Sequence, residues 1–177
     1  MINFDEGNLT AGTLVTDQFE GINVSTPSEF GVMIFDTNNS TGEDYDLAAE
    51  DLGNVLIISE DGDTSDPDDD AAGGIINIKF DEPSTVEAIG LLDIEELGSS
   101  LRLYDEESEI IEFIDIEPVG DGLSFELDIS NSEVARLELD LAGSGALTFL
   151  DFSTDTDTST EATQLQLTET GWSKDGR

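Results

Sequence analysis

Two short stretches hold most of the side chains that could do chemistry in this 177-residue chain. The first is Asp36-Thr37-Asn38-Asn39-Ser40-Thr41-Gly42-Glu43-Asp44-Tyr45-Asp46, a dense set of hard oxygen donors. The second is Glu60-Asp61-Gly62-Asp63-Thr64-Ser65-Asp66-Pro67-Asp68-Asp69-Asp70. Carboxylates at this density repel one another unless a cation sits among them. Calcium suits such a set: it takes about six to eight oxygens at about 2.3–2.6 Å in irregular geometry, whereas magnesium holds to an octahedron and keeps its waters. The first stretch opens Asp-x-Asn-x-Ser like an EF-hand loop. Its glycine comes one place late, however, and Leu47 stands where the last acidic ligand belongs, so it is not an EF-hand.

The plain alternative is a solvated acidic loop. Two features argue against it. Pro67 and Gly73-Gly74 fix a chain path, which a solvated loop does not need. Asp36 and Asp93 adjoin the apolar runs Gly31-Val32-Met33-Ile34-Phe35 and Gly90-Leu91-Leu92, and a carboxylate beside a core must be paired or bound to metal. The expected calcium ligands are therefore Asp36, Asn38, Glu43, Asp44, Asp46, Asp66, Asp68, Asp69 and Asp93. Asp5, Glu6 and Asp151, near the two ends of the domain, are candidates to share a further ion, with ordinary strand-end polarity as the alternative.

Composition excludes most other chemistries. There are 43 acidic and 5 basic residues, a formal net charge of -38, and neither histidine nor cysteine. No nucleic-acid surface can be built from five scattered cations. Disulfides, imidazole or thiolate metal sites, and catalytic triads are likewise absent. A folded monomer of this mass exposes roughly 8,400 Å², so neighbouring net charges lie about 15 Å apart, against a screening length of about 8 Å in physiological salt. Disorder is the usual outcome of such charge, but 37% of the residues are hydrophobic and they are arranged periodically. No apolar run is long enough to cross a membrane as a helix, and the opening Met1-Ile2-Asn3-Phe4-Asp5 does not read as a signal segment.

The elements that must carry these loops read as strands. Leu123, Phe125, Leu127 and Ile129 alternate with polar residues, as do Ala135, Leu137, Leu139 and Leu141, and Ile76, Ile78 and Phe80. Further strands are expected at 2–5, 13–16, 22–25, 31–36, 54–59, 85–94, 100–105, 109–115 and 145–152. One helical turn is expected near 47–50. Val55-Leu56-Ile57-Ile58 reads as buried on both faces. Gly120-Asp121-Gly122 and Gly143-Ser144-Gly145 read as tight turns. Short strands with frequent turns argue an all-β, antiparallel β-sandwich of jelly-roll, galactose-binding-like type over 1–152. The Ser/Thr/Asp-rich segment 153–177 reads as a linker, with a possible extra strand over 164–172.

Several pieces resemble a jelly-roll module of exported bacterial proteins, often accompanied by a C-terminal sorting anchor. They include Phe4-Asp5 with Ala11-Gly12-Thr13, Thr16-Asp17-Gln18-Phe19, Phe35-Asp36-Thr37, Thr41 to Leu47, Gly53 to Asp61, Asp66-Pro67-Asp68-Asp69, Leu91-Leu92-Asp93-Ile94-Glu95 and Gly143-Ser144-Gly145-Ala146. The resemblance spans about residues 2–152 and implies export to the cell surface or beyond, a β-sandwich and bound calcium.

Catalytic readings are thin. Carboxylate pairs hydrolyse glycosides without histidine, but among so many acids a suitable spacing carries no signal. A buried-lysine isopeptide bond is unsupported, because Lys79 is expected to face outward. Asp66-Pro67 is a remote candidate for self-cleavage. Tyr45, in the acidic loop, is the best sugar-contact candidate; Tyr104 and Trp172 are the others. The sequence thus points to a non-catalytic, calcium-stabilised module, with adhesion or glycan binding as its task and a spacer role as the alternative. Its partners would be calcium, a carbohydrate or cell-surface polymer, and neighbouring domains of a larger chain, with no nucleic acid and no membrane insertion. Repulsion at this charge density weakens as screening shortens. Raising NaCl from a few millimolar to seawater strength will therefore raise the melting temperature of the cation-free protein; a flat or falling curve in a thermal-shift series would mean that the acids are already compensated.

Overall fold

The computed structural model describes residues 1–154. Nine strands are present among them: β1 (Leu14–Val15), β2 (Ile22–Ser25), β3 (Val32–Asp36), β4 (Asn54–Ile58), β5 (Gly74–Leu92), β6 (Ser100–Tyr104), β7 (Ile110–Asp115), β8 (Ser124–Leu141) and β9 (Ala146–Thr154). All pairings are antiparallel. One-turn 3₁₀ helices occupy Glu6–Asn8 and Tyr45–Leu47. The candidate extra strand over 164–172, and the linker from residue 155 onward, lie outside the described residues.

Two long strands make the sandwich. The first part of β5 pairs with β2 through Ile22↔Phe80 and with the end of β8 through Ile76↔Leu139. Its second part pairs with β9 and with the beginning of β8, as in Leu92↔Ser124 and Leu92↔Ala146. Register shifts fall between Lys79 and Ala88, and Ser130 and Glu133 adopt left-handed backbone on the β8 side. One continuous pairing path thus turns from an inner layer edge to the opposite layer. The layer β2-β5-β8-β6-β7 faces the layer β1-β3-β4-β9-β5-β8, with strands β5 and β8 shared by both. Sequence patterning expected two strands in each of these long segments, because the alternation breaks at the turn: Val134 is the buried residue between Ile129 and Leu137, and Ala135, expected on the core face, instead lines an outward groove beside Lys79.

The main core lies between the layers and includes Ile76, Ile78, Ile89, Leu91, Leu101, Leu103, Leu137, Leu139 and Leu150. A second, smaller core forms on the outside of the other layer from Met33, Phe35, Leu47, Val55, Ile57, Leu92 and Ala146. This accounts for the uninterrupted apolar runs of β3 and β4: one face meets the main core and the other meets the loop 37–53. Leu47 is fully buried there, and Thr37 Oγ1 donates to the carbonyls of Ala49 and Gly53 at 2.8 and 2.9 Å, closing the loop on itself. The acidic segment is therefore anchored to the sheet by its apolar end. The expected first strand at 2–5 is reduced to one bridge, Ile2↔Leu150, because Phe4 takes a left-handed φ of 57° and turns its ring into the core.

Truncation at the two ends of β8 will separate these environments. Leu139→Ala removes a fully buried side chain and will cost about 2–5 kcal/mol in urea unfolding, whereas Leu123→Ala, beside the start of β8 and about half exposed, will change stability by less than about 0.5 kcal/mol.

Candidate metal centre

Asp93 follows the last residue of β5 and is completely buried. Its backbone takes a left-handed φ of 61°, which turns the chain out of the strand and leaves the carboxylate inside. Asp93 Oδ1 accepts the Gly122 N–H at 2.7 Å and Oδ2 accepts the Ser144 hydroxyl at 2.9 Å. Burial pushes its pKa up, those two hydrogen bonds pull it down, and the charges of Asp46 and Asp121 push it up again. Asp46, Asp93 and Asp121 each offer a carboxylate oxygen within 4.8 Å of the others. These three acids come from three separate segments, none of which supplies a cation.

Two further acids complete the surroundings. Asp69 is buried, and its Oδ2 accepts the Gly145 N–H at 2.9 Å. Burial raises its pKa, the Gly145 and Ser144 donors lower it, and the charges of Asp46 and Asp93 raise it. Asp44 Oδ2 accepts the Asp69 N–H at 2.9 Å. Its pKa is raised to about 7, chiefly by burial, with the Asp69 hydrogen bond lowering it and the charges of Asp69, Asp46 and Asp68 raising it.

The two acidic loops are stitched together directly. Thr41 Oγ1 donates to the Pro67 carbonyl at 2.7 Å, and the Gly42 N–H donates to Asp66 Oδ1 at 3.0 Å. Gly42 has a φ of 67°, and a Cβ there would collide with the Asp68 side chain, so only glycine allows this approach. Asp68 Oδ1 is buried with no hydrogen-bond partner. Its pKa is raised by burial and by the charges of Asp61, Glu60, Asp66 and Asp69.

Of the acids singled out from sequence, Asp44, Asp46, Asp69 and Asp93 come together, and Asp66 and Asp68 sit on the adjoining seam. Glu43 is exposed and lines a shallow, open depression with Tyr45, Asp46, Ala48, Asp121 and Gly122. Tyr45 is 76% exposed at its rim. Asp36 and Asn38 are not in the Asp46–Asp93–Asp121 group: Asp36 is partly exposed, and its Oδ1 accepts the Asn38 N–H at 3.0 Å in a local turn. Asp5 and Asp151 also go elsewhere. Asp5 Oδ1 accepts the Asn54 N–H at 2.9 Å, and Asp151 lies 3.4 Å from the Met1 amino group. Lys79 faces outward, as expected. Asp121 was legible only as the middle of a glycine turn. The pairing Leu92↔Ser124 is what brings that turn, just before β8, beside Asp93, just after β5.

The donor set is all oxygen and mostly anionic, which fits a hard divalent cation rather than zinc or copper. Asp46, Asp93 and Asp121, with Asp69 and Asp44 behind them, are the residues that would hold it.

No protein-family model matches the chain and no curated protein matches it, so the resemblance to the exported jelly-roll module rests on its short motifs alone. Among solved structures the chain is similar to carbohydrate-binding β-sandwich domains. One is the fucose-binding module SpX-3 of Streptococcus pneumoniae, at TM-score 0.41 and 10% identity over 82% of this chain and 98% of that one. A second is TmCBM61, solved with β-1,4-galactotriose, at TM-score 0.41 and 15% identity over 77% and 90%. A third is the lectin-binding domain of lectinolysin with Lewis b, at TM-score 0.40 and 6% identity over 73% and 98%. The fold assignment itself rests on the strand pairing described above.

Without a cation, the acids with raised pKa bind protons more tightly folded than unfolded. Their stabilising contribution is complete below the unfolded value of 3.8 and is lost as pH climbs through the folded value, about 7 for Asp44. The melting temperature of the EDTA-treated protein will accordingly fall between about pH 4 and pH 8, with excess calcium flattening the decline; a rise over that range would contradict the burial of these carboxylates.

Proposed function

We propose that the chain is a non-catalytic, calcium-stabilised β-sandwich binding module of an exported bacterial protein, acting in adhesion or glycan binding. The observation that carries the calcium reading is the fully buried Asp93 carboxylate, gathered with Asp46 and Asp121 and lacking any cationic side chain among its described neighbours. The unpartnered Asp68 oxygen at the loop seam supports it. The ion would tie together the loop after β3, the end of β5 and the turn before β8.

Tyr45 supports the glycan reading, because an aromatic ring this exposed beside a polar depression offers a stacking face for a sugar. The same depression disfavours hydrolysis. A glycosidase needs two carboxylates about 5–10 Å apart across a cleft. Here Asp46 and Asp121 converge within 4.8 Å, on an open surface. A spacer bearing calcium and no other ligand is the second reading, and the scarcity of aromatic side chains near the depression favours it.

A ligand that binds only the folded state stabilises it by about 4 kcal/mol at a thousandfold excess over Kd. EDTA will thus lower the melting temperature by many degrees, and calcium will restore it better than equal magnesium. Asp44→Ala, Asp68→Ala and Asp121→Ala will each remove much of that response, while Asp128→Ala, on the exposed side of β8, will not. Calorimetry that detects no calcium binding after exhaustive dialysis would sink the calcium reading.

A further inference from the structure

One lateral side of the sandwich is open. In the layer β1-β3-β4-β9-β5-β8 the first half of β8 is the outermost strand. Residues 124–131 pair with β5 on one side, and among the described residues no strand pairs with their other edge. The second half of β8 differs, because β6 pairs with it from Arg136 to Asp140. Backbone N–H and C=O groups along 124–131 therefore point outward in a row, a ready template for one more strand.

The inner side of that edge is apolar and incompletely covered. The pairings Ile89↔Leu127 and Leu91↔Phe125 put Leu127 and Phe125 on the face that carries the buried Ile89 and Leu91. Alternation places Leu123 and Ile129 on the same face. None of the four is buried: Phe125, Leu127 and Ile129 are partly exposed, and Leu123 is about half exposed. Strand β7 of the other layer reaches this edge where Asn131 Nδ2 donates to Glu112 Oε2 at 2.8 Å, and its Ile114 is likewise only partly buried. Nothing blunts the edge against pairing. It holds no proline, and Glu126 and Asp128 stand on the outer face rather than pointing inward.

The chain itself supplies an occupant within reach. Thr154, the last described residue, pairs with Ser84, and Ser84 pairs on its other side with Val134. The chain therefore leaves β9 at the same end of the sandwich where residues 124–131 finish. Three strand spacings, about 14 Å, separate β9 from the far side of β8. Residues 155–163 can span about 30 Å when extended, so they cover that gap with slack. They lead to Gln164-Leu165-Gln166-Leu167-Thr168, an uncharged run that alternates polar and apolar. Two of the chain's five bases, Lys174 and Arg177, follow it, which suits a surface bearing Glu126 and Asp128. A second copy fits less well, because edge-to-edge pairing of two β8 strands would bring both sets of these acids together.

We propose that residues 164–168 add a strand to the free edge of β8, antiparallel to residues 124–131, with Leu165 and Leu167 laid against Ile129 and Leu127. The added strand closes the open side of the layer and covers the inner apolar row. Because it runs antiparallel to β8, the chain beyond residue 168 departs from the end of the sandwich that carries Asp93, not from the end where β9 stops. A neighbouring domain joined there would sit beside the acidic loops.

The test uses the whole 177-residue chain, whose lack of cysteine allows a nitroxide to be placed on the single substitution Thr168→Cys. The expected result is that the label broadens the amide signals around Phe125 to Leu127 more than those of β1 or β2. Hydrogen exchange gives a second readout. The amides of 124–131 that point away from β5 will exchange at least about tenfold more slowly in the whole chain than in the double variant Leu165→Asp, Leu167→Asp, with the amides of the β5–β9 ladder alike in both. Equal exchange of the edge amides in the two chains, or broadening centred on any other surface, would overturn the inference. Mixing the nitroxide-bearing chain with an isotope-labelled chain that carries no nitroxide separates the remaining occupant: edge signals that broaden in the mixture would assign the edge to a second copy and also overturn it.

Discussion

A carboxylate shut away from water, in a chain with few cations to pair it, is the constraint around which one end of this sandwich is organised. Asp93 has no solvent exposure, and its two oxygens are met by only one backbone N–H and one hydroxyl. Neutral donors reduce the desolvation cost of an ionised carboxylate without cancelling it. The surrounding segments add to the problem: Asp46, Asp69 and Asp121 all bring further negative charge toward the same place. Such an assembly persists either by taking up protons or by holding a cation. The raised pKa values of Asp44, Asp69 and Asp93 express the first solution, and the proposed calcium ion is the second. At neutral pH the second leaves the acids ionised and joins segments that otherwise repel.

Much of the scaffold was legible in the sequence because burial writes itself as period two. β2 coincides with its expected span, and β3, β4, β6, β7 and β9 differ by a residue or two at an end. The continuity of β5 and β8 was not legible, because the alternation breaks where each strand passes from one layer to the other: β5 shifts from Ile76, Ile78, Phe80 and Val86 to Ile89 and Leu91, and β8 inserts Val134 between Ile129 and Leu137. The phase shift around Val134 therefore looks like a break. The double-sided apolar character of β4 was correctly read, but what covers its outer face was not. That cover is Leu47 with Ala49 and Leu52, residues of a loop whose composition is dominated by acids.

Local composition and tertiary placement contribute differently to the site. Asp44, Asp46 and Asp69 were found because they are crowded in sequence, and Asp93 because it adjoins an apolar run. Asp121 satisfies neither criterion; only the pairing of β8 against β5 brings it in. Conversely, Asp36 met the apolar criterion, yet it stays partly exposed at the end of β3, takes a turn N–H from Asn38 and lies outside the group around Asp93. Crowding marks where acids are costly, whereas strand register decides which of them share that cost.

The distribution of the cations joins the two surfaces. Arg102 and Arg136 are committed to Glu138 and to aromatic rings on the outer face, and Lys79 stands beside them. None is spent on the acids around Asp93. Had one of them been placed there, it would have neutralised the cluster permanently, and the stability of that end would not respond to its surroundings. With the cations held on the outer face, the charge of the loop end is left to protons or to an ion from solution, as the proposed function would have it. The scarcity of positive charge thus leaves the acids around Asp93 with no cationic side chain among the described residues to offset them, the arrangement that the proposed calcium ion would answer.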